Sequence, residues 1–162
     1  MNATSHATNE VHIVRTINAP RERVFAAWTN QQALERWFAP HGCAISFRRY
    51  SGARGGEYLS CIKSPEGHEC WCTGSYEVFS PPETLVMTMS NCDCDGNLLP
   101  PSALGMDPDW PGTTRVTVTF EDFGGSTRIT LHQTVDETLA KKTGAHPSWL
   151  QMFDRLAEQV AA

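Results

Sequence analysis

The sequence has little positive charge and no long apolar run. Its 13 Lys and Arg residues face 18 Asp and Glu, which gives a net charge of −5 at pH 7. No basic cluster is present that would bind a phosphate backbone. No segment approaches the roughly 20 apolar residues that cross a bilayer, and the N-terminal MNATSHATNE lacks the pattern of a secretion signal. These absences predict a cytoplasmic protein without a nucleic-acid or membrane partner.

Cysteine is also too sparse for a disulfide scaffold, because only six cysteines occur in 162 residues. Without a secretion signal, we expect all six thiols to be reduced. The length and the 40% hydrophobic content suit one domain with its own core. We assign residues 1–10 to a disordered leader and residues 11–162 to this domain.

Hydrophobic periodicity changes twice along the chain. Residues 11–18 alternate like a strand, and residues 21–38 carry apolar residues at spacings of three and four, as in two short helices. Short alternating segments separated by turn chemistry then continue to residue 135, and the terminal HPSWLQMFDRLAEQVAA has one apolar stripe. The pattern predicts an α+β fold in which a curved antiparallel sheet of about seven strands wraps around a long C-terminal helix. The six strands after the helices are predicted at 43–49, 57–63, 68–79, 84–91, 113–121 and 127–135.

Several motifs carry a family resemblance: NAPRERVFAAWTNQQALERWFAP, RGGEY, GSYEVFSPPETLVMT and RVTVTFED followed by STRITL. Together they resemble the START-like (SRPBCC) superfamily of birch pollen allergens and polyketide cyclases. Within it, the chain is most similar to the domain found in the ATPase activator of heat-shock protein 90 and to that domain's bacterial single-domain relatives. The resemblance covers residues 11–160 and implies a helix-grip fold, often with a pocket for an apolar small molecule.

The inward-facing aromatic and sulfur residues are the candidate binding site. We expect them to converge between the sheet and the C-terminal helix and to bind a small apolar or aromatic molecule with one polar end near Arg49. They are Trp37, Phe38, Phe47, Arg49, Tyr58, Tyr76, Met87, Met89, Trp149, Met152 and Phe153.

Two other functions stay open at this point. The same residues could form a filled core, which would favour a protein-interaction module. A cyclase- or hydrolase-type enzyme could use Tyr58, Tyr76 or Arg49 for acid and base catalysis. The six histidines are scattered and no nucleophile pairs with them, so we assign no catalytic residue and no cofactor.

Two closely spaced cysteine pairs raise the question of a metal centre. Strand alternation places Cys70, Cys72, Gly74, Tyr76 and Val78 on the inner face, and it places Cys92 and Cys94 on the outer face. Four thiolates on opposite faces cannot surround one zinc ion, so no metal site is predicted.

The same register sets Trp71 opposite both Cys61 and Cys92. This outer row would serve as a homodimer contact or would be a scattered exposed patch without a partner.

The long connection at residues 93–112 holds four Asp, four Pro and no basic residue. Asp93, Asp95 and Asn97 resemble the start of a calcium loop, but Leu104 stands where the bidentate Glu would be needed. We expect the apolar residues of this loop to form a lid over the cavity mouth, or the loop to be a variable surface segment.

Overall fold

Seven antiparallel strands form one sheet in the computed structural model, which describes residues 9–161. The spatial order of the strands is β1-β7-β6-β5-β4-β3-β2. The strands are β1 (Glu10–Ile17), β2 (Ala44–Tyr50), β3 (Glu57–Lys63), β4 (Glu69–Ser80), β5 (Thr84–Cys92), β6 (Thr113–Phe123) and β7 (Ser126–Asp136). The helices are α1 (Arg21–Thr29), α2 (Gln31–Trp37), α3 (Glu137–Thr143) and α4 (Ala145–Ala161), with a 3₁₀ turn at Pro101–Leu104.

The predicted α+β helix-grip architecture is confirmed, and each predicted strand agrees with the structure to within two residues at either end. The predicted leader at residues 1–10 lies outside the described residues, apart from Asn9 and Glu10, and β1 already begins at Glu10. None of the helices within residues 9–161 is both long and apolar enough to cross a membrane.

Helix α3 is the element that the sequence reading missed. The Asp136 side chain caps it by accepting a hydrogen bond from Leu139 N at 3.0 Å, and Gly144 ends it in the left-handed region. An Asp N-cap and a terminal Gly are recognised helix boundaries, so the sequence did carry a signal for this helix.

The core lies between the concave face of the sheet and the helices, and aromatic rings fill much of it. Trp28 of α1 is at the centre, with ring centroids 4.9 Å from Trp37, 6.0 Å from Phe120, 6.2 Å from Phe153 and 6.4 Å from Trp149. Each such aromatic pair adds about 0.5–1.5 kcal/mol beyond the burial of its surface. This cluster joins α1, α2, α4 and the sheet into a single core.

Two β-bulges break the alternation of inward and outward side chains. In β4 the register shifts between Tyr76 and Val78, so Val78 pairs with outward-facing Val86 and is 40% exposed. The prediction that Val78 faces the core is therefore wrong, and Phe79 packs against the core instead. A bulge inserts one extra residue, and every side chain beyond it on that strand changes face.

The second bulge lies between Phe47 and Arg49 in β2. Phe47 pairs with inward-facing Ser60, whereas Arg49 pairs with Leu59 on the outer face. Arg49 therefore lies on the outer side of the sheet, as does Arg48, which contacts Cys94 O there.

Arg155 of α4 ties the C-terminal helix to the connection between α2 and β2. Its guanidinium donates hydrogen bonds to the carbonyl oxygens of Ala39 at 2.7 Å, Arg36 at 3.0 Å and Cys43 at 3.3 Å. Ala39 is fully buried, so its carbonyl has no access to bulk water as a replacement partner.

Replacing Arg155 with Met should lower the free energy of unfolding by about 1–3 kcal/mol, because the carbonyls lose their donor while the apolar stem is kept. Urea denaturation followed by circular dichroism measures this change. Arg115→Met is the matched control, because Arg115 pairs with Glu77 on the exposed outer face. Its loss should change the free energy of unfolding much less. Equal losses in the two variants would contradict the proposed role of Arg155.

Candidate functional site

A small cavity lies between α2 and the sheet wall that β2 to β5 form. Six of the predicted site residues line it, namely Phe38, Phe47, Tyr58, Tyr76, Met87 and Met89. Six further residues complete the wall, namely Trp28, Leu34, Ile45, Ser60, Ile62 and Cys72. Strand alternation placed Cys72 on the inner face and helical spacing picked out Trp28 and Leu34, so these three could have been included from the sequence.

The other five predicted site residues do not line the cavity. Trp37, Trp149, Met152 and Phe153 are buried in the core around Trp28. Arg49 lies on the outer face, because the β2 bulge moved it there. No residue of α4 takes part in the cavity wall, so the expected position between the sheet and the C-terminal helix is corrected to a position beneath α2.

The cavity has a volume of about 40 Å³. That space is enough for a few water molecules, whereas pockets for drug-sized ligands measure about 300–1,000 Å³. The aromatic cluster occupies the remaining space beneath the helices. A ligand larger than a few atoms therefore requires the wall side chains to move apart.

The polar groups of the wall are neutral at physiological pH. Burial raises the pKa of the Cys72 thiol to about 12. Burial also raises the pKa of Tyr58 and of Tyr76 above the usual tyrosine value. None of the twelve lining residues is Asp, Glu, Lys, Arg or His, so the wall offers a ligand no charge.

The tyrosine hydroxyls are held by other protein groups. Tyr58 donates a hydrogen bond to Thr88 O at 2.7 Å, and the hydroxyls of Tyr76 and Tyr50 lie 2.8 Å apart. These bonds hold two rings of the wall in place, whereas the methionine and phenylalanine side chains of the wall are held by packing alone.

Gly74 allows Tyr58 to reach that position. A Cβ atom at residue 74 would lie 1.9 Å from Thr88 O and 2.9 Å from the Tyr58 hydroxyl. Both contacts are shorter than real Cβ contacts, so only glycine permits this close approach of β4, β5 and the tyrosine.

The predicted outer row is present, since Trp71 pairs with both Cys61 and Cys92. It is not an open surface, however, because Cys61 is 5% exposed and Cys92 is 1% exposed.

The cysteine faces follow the predicted register, and within residues 9–161 no three His, Cys, Asp or Glu side chains are grouped to hold a metal ion.

Residues 93–97 fold back over this outer face. Arg48 donates a hydrogen bond to Cys94 O at 2.8 Å and lies 5.1 Å from the centre of the Trp71 ring. Gly96 approaches the Leu59 side chain, which is buried. Arg48 thus holds this turn against the sheet.

The rest of the long loop does not form the expected lid, because no residue of 93–112 lines the cavity. Leu104 and Met106 border a separate surface cleft of about 420 Å³, and Trp110 packs against the core.

The Asp93 carboxylate accepts hydrogen bonds from the backbone amides of Asp95 and Asn97, both at 2.9 Å, which lowers its pKa. The resemblance to a calcium loop therefore reflects a turn that is closed by its own amides.

A family model described as Activator of Hsp90 ATPase homolog 1-like protein (AHSA1) matches residues 18–161. The chain belongs to this family. The predicted place in the START-like superfamily is confirmed, and ligand binding is a general association of that fold. No curated protein matches the chain in sequence.

Solved structures of bacterial proteins share the fold across almost their whole length. A protein from Chromobacterium violaceum is 21% identical with a TM-score of 0.78, covering 96% of this chain and 99% of its own. A protein from Arthrobacter aurescens is 20% identical with a TM-score of 0.80, covering 96% of this chain and 88% of its own. The AHSA1 protein from Silicibacter pomeroyi is 18% identical with a TM-score of 0.73, covering 94% of this chain and 97% of its own. At these identities the likeness shows the fold alone.

The raised pKa of the cavity thiol predicts selective alkylation. At about pH 8, iodoacetamide should modify exposed Cys94 at least about tenfold faster than half-buried Cys72 with its raised pKa, because only thiolates react. Chymotrypsin can cleave after Trp71 and so separate Cys72 from Cys70, and mass spectrometry of the peptides gives the rates. In urea the difference should disappear. Equal rates in the folded protein would show that Cys72 is neither buried nor neutral.

Proposed function

We propose that the protein reversibly binds a small, mostly apolar molecule in the cavity beneath α2. The observation that carries this proposal is a space bounded by aromatic, aliphatic and methionine side chains beside a core that is otherwise filled by rings. Apolar walls with a few fixed polar groups are typical of small-molecule sites. The general association of the fold with ligand binding supports the same function.

The position of the cavity suits the admission of a ligand. β2 is an edge strand, and its residue Phe47 is only partly buried, as are Phe38 and Met89. Methionine has three rotatable side-chain bonds and adapts to irregular spaces. Rotation of these side chains would enlarge the cavity without breaking the ladders in the centre of the sheet.

The cyclase- or hydrolase-type alternative receives less support from the geometry. Arg49 is outside the cavity, and Tyr58, Tyr76 and Cys72 hold their protons because burial raises the pKa of each. A general base must be deprotonated near the operating pH. The wall therefore supplies binding surface and no evident proton acceptor.

The cytoplasmic location and the homodimer stay predictions from the sequence. A second copy on the outer face would meet Trp71 and the turn at residues 93–97, since this turn already covers Leu59 and both Cys61 and Cys92 are buried.

Methionine methyl resonances give a direct test of the binding site. Toluene, indole and acetophenone, added separately to protein labelled with ¹³C at the methionine methyls, should shift the signals of Met87 and Met89, which line the cavity. Met152 in the filled core and Met106 at the surface cleft are internal controls and should stay in place. Shifts at Met106 alone would move the site to the cleft, and no shift with any compound would refute the proposal.

A paired substitution controls for indirect effects. Ser60→Leu adds volume to the cavity wall and should weaken binding of all three compounds at least about tenfold, since the added side chain takes the ligand's place. Ser75→Leu adds the same side chain to the outer face of neighbouring β4, so affinity should be unchanged. Calorimetry gives both affinities, and thermal melting confirms that each variant is folded.

A further inference from the structure

The indole N–H of Trp28 is unusual among the buried polar groups of residues 9–161, because it has no hydrogen-bond partner. The Trp28 residue is 1% exposed, so bulk water does not replace that partner. The other buried indoles of the core are satisfied. Trp37 Nε1 donates to Ala27 O at 3.0 Å, and Trp149 Nε1 donates to Gln133 Oε1 at 2.9 Å. A buried donor without a partner costs free energy, so such a group calls for an explanation.

The Trp28 ring is also part of the cavity wall, although its Nε1 atom is covered by neighbouring side chains. A ligand would therefore reach the N–H only when wall side chains move apart, as any ligand of more than a few atoms requires. The other polar side chains of the wall already use their protons or lie close to a partner. Tyr58 donates to Thr88 O, Ser60 donates to Cys72 O at 3.4 Å, and the Tyr76 hydroxyl is paired with that of Tyr50. The Trp28 N–H is thus the buried donor of this wall that has no partner, and an acceptor atom on a ligand would satisfy it.

Charge narrows the class of ligand further. The arginine that the sequence suggested as a partner for the polar end lies on the outer face, and the wall holds no other cation. A carboxylate moved from water into this cavity would lose its hydration without gaining an opposite charge. A neutral acceptor such as a carbonyl or ether oxygen loses far less hydration free energy.

We propose that Trp28 determines specificity by donating its indole N–H to a neutral acceptor atom of the ligand, so that the cavity selects uncharged carbonyl or ether compounds over carboxylates and hydrocarbons. This inference rests on the proposed function, since it names the ligand class of the same cavity.

A competing arrangement has to be tested alongside it. The rings of Trp37 and Phe38 are steeply inclined to Trp28, with centroids at 4.9 Å and 5.8 Å and interplanar angles of 67° and 70°. An N–H group can donate weakly to an aromatic face. If Trp28 makes such a contact permanently, the ligand has no role in satisfying it.

The test compares acetophenone with α-methylstyrene, in which a CH₂ group replaces the carbonyl oxygen at nearly the same shape. The chain contains five tryptophans, so ¹⁵N-labelled protein gives at most five indole N–H signals, each assignable. We expect acetophenone to move the Trp28 indole proton downfield and α-methylstyrene to leave it nearly in place. Benzoate should bind at least about tenfold more weakly than acetophenone.

Trp28→Phe gives an independent readout, because it keeps an aromatic ring and removes the N–H. The ratio of acetophenone to α-methylstyrene affinity should fall roughly three- to tenfold in this variant, and taking the ratio cancels changes in cavity size. If the variant does not fold, the indole shift in the unaltered protein decides the matter alone.

The outcomes separate the two proposals. If both compounds bind but the Trp28 signal responds to neither, or if benzoate binds as tightly as acetophenone, the role of Trp28 is overturned and the cavity function stands. If neither compound binds, the cavity function is overturned and the inference about Trp28 falls with it.

Discussion

The packing of aromatic rings around Trp28 is the constraint on which the rest of this structure depends. Rings from α1, α2, α4 and β6 meet there, and together they occupy the space that a curved sheet leaves beneath its helices. Beside this densely packed centre lies the cavity, on the side of the sheet that ends at edge strand β2. Both the position and the small volume of the cavity follow from how far the rings extend.

The fold could be predicted because its periodic signals are strong and local. The alternation of Thr84 to Asn91 and the apolar stripe of α4 determine which face of each element is buried, and the turn residues determine where strands end. The predicted pairing of Trp71 with Cys92 matches the register found beyond the β4 bulge, whereas the same count fails next to the turn, where Val78 pairs with Val86. Helix α3 was overlooked although Asp136 and Gly144 mark its ends, since seven residues give too few turns for a periodic pattern to stand out.

The candidate site could be predicted only in part. The inward-facing residues of β3 and β5 were correct because those strands are regular. Arg49 and Val78 were placed on the wrong face because each lies just beyond a bulge. A bulge shifts the pairing of the two strands, and no distinctive residue type marks these two bulges in the sequence. Trp149, Met152 and Phe153 do face inward, but whether an inward ring borders a space or fills it depends on packing between distant segments. The periodicity of one segment carries no information about how closely another segment packs against it.

Gly74 makes room for the backbone of β5 and for the side chain of Tyr58. The tyrosine crosses the backbone of β4 at the one position without a side chain, and its hydroxyl reaches the carbonyl of β5 behind it. A side chain at position 74 would also collide with the Thr88 backbone, and no exchange at position 58 removes that collision. Among descendants of this sequence, position 74 is therefore expected to vary less than position 58.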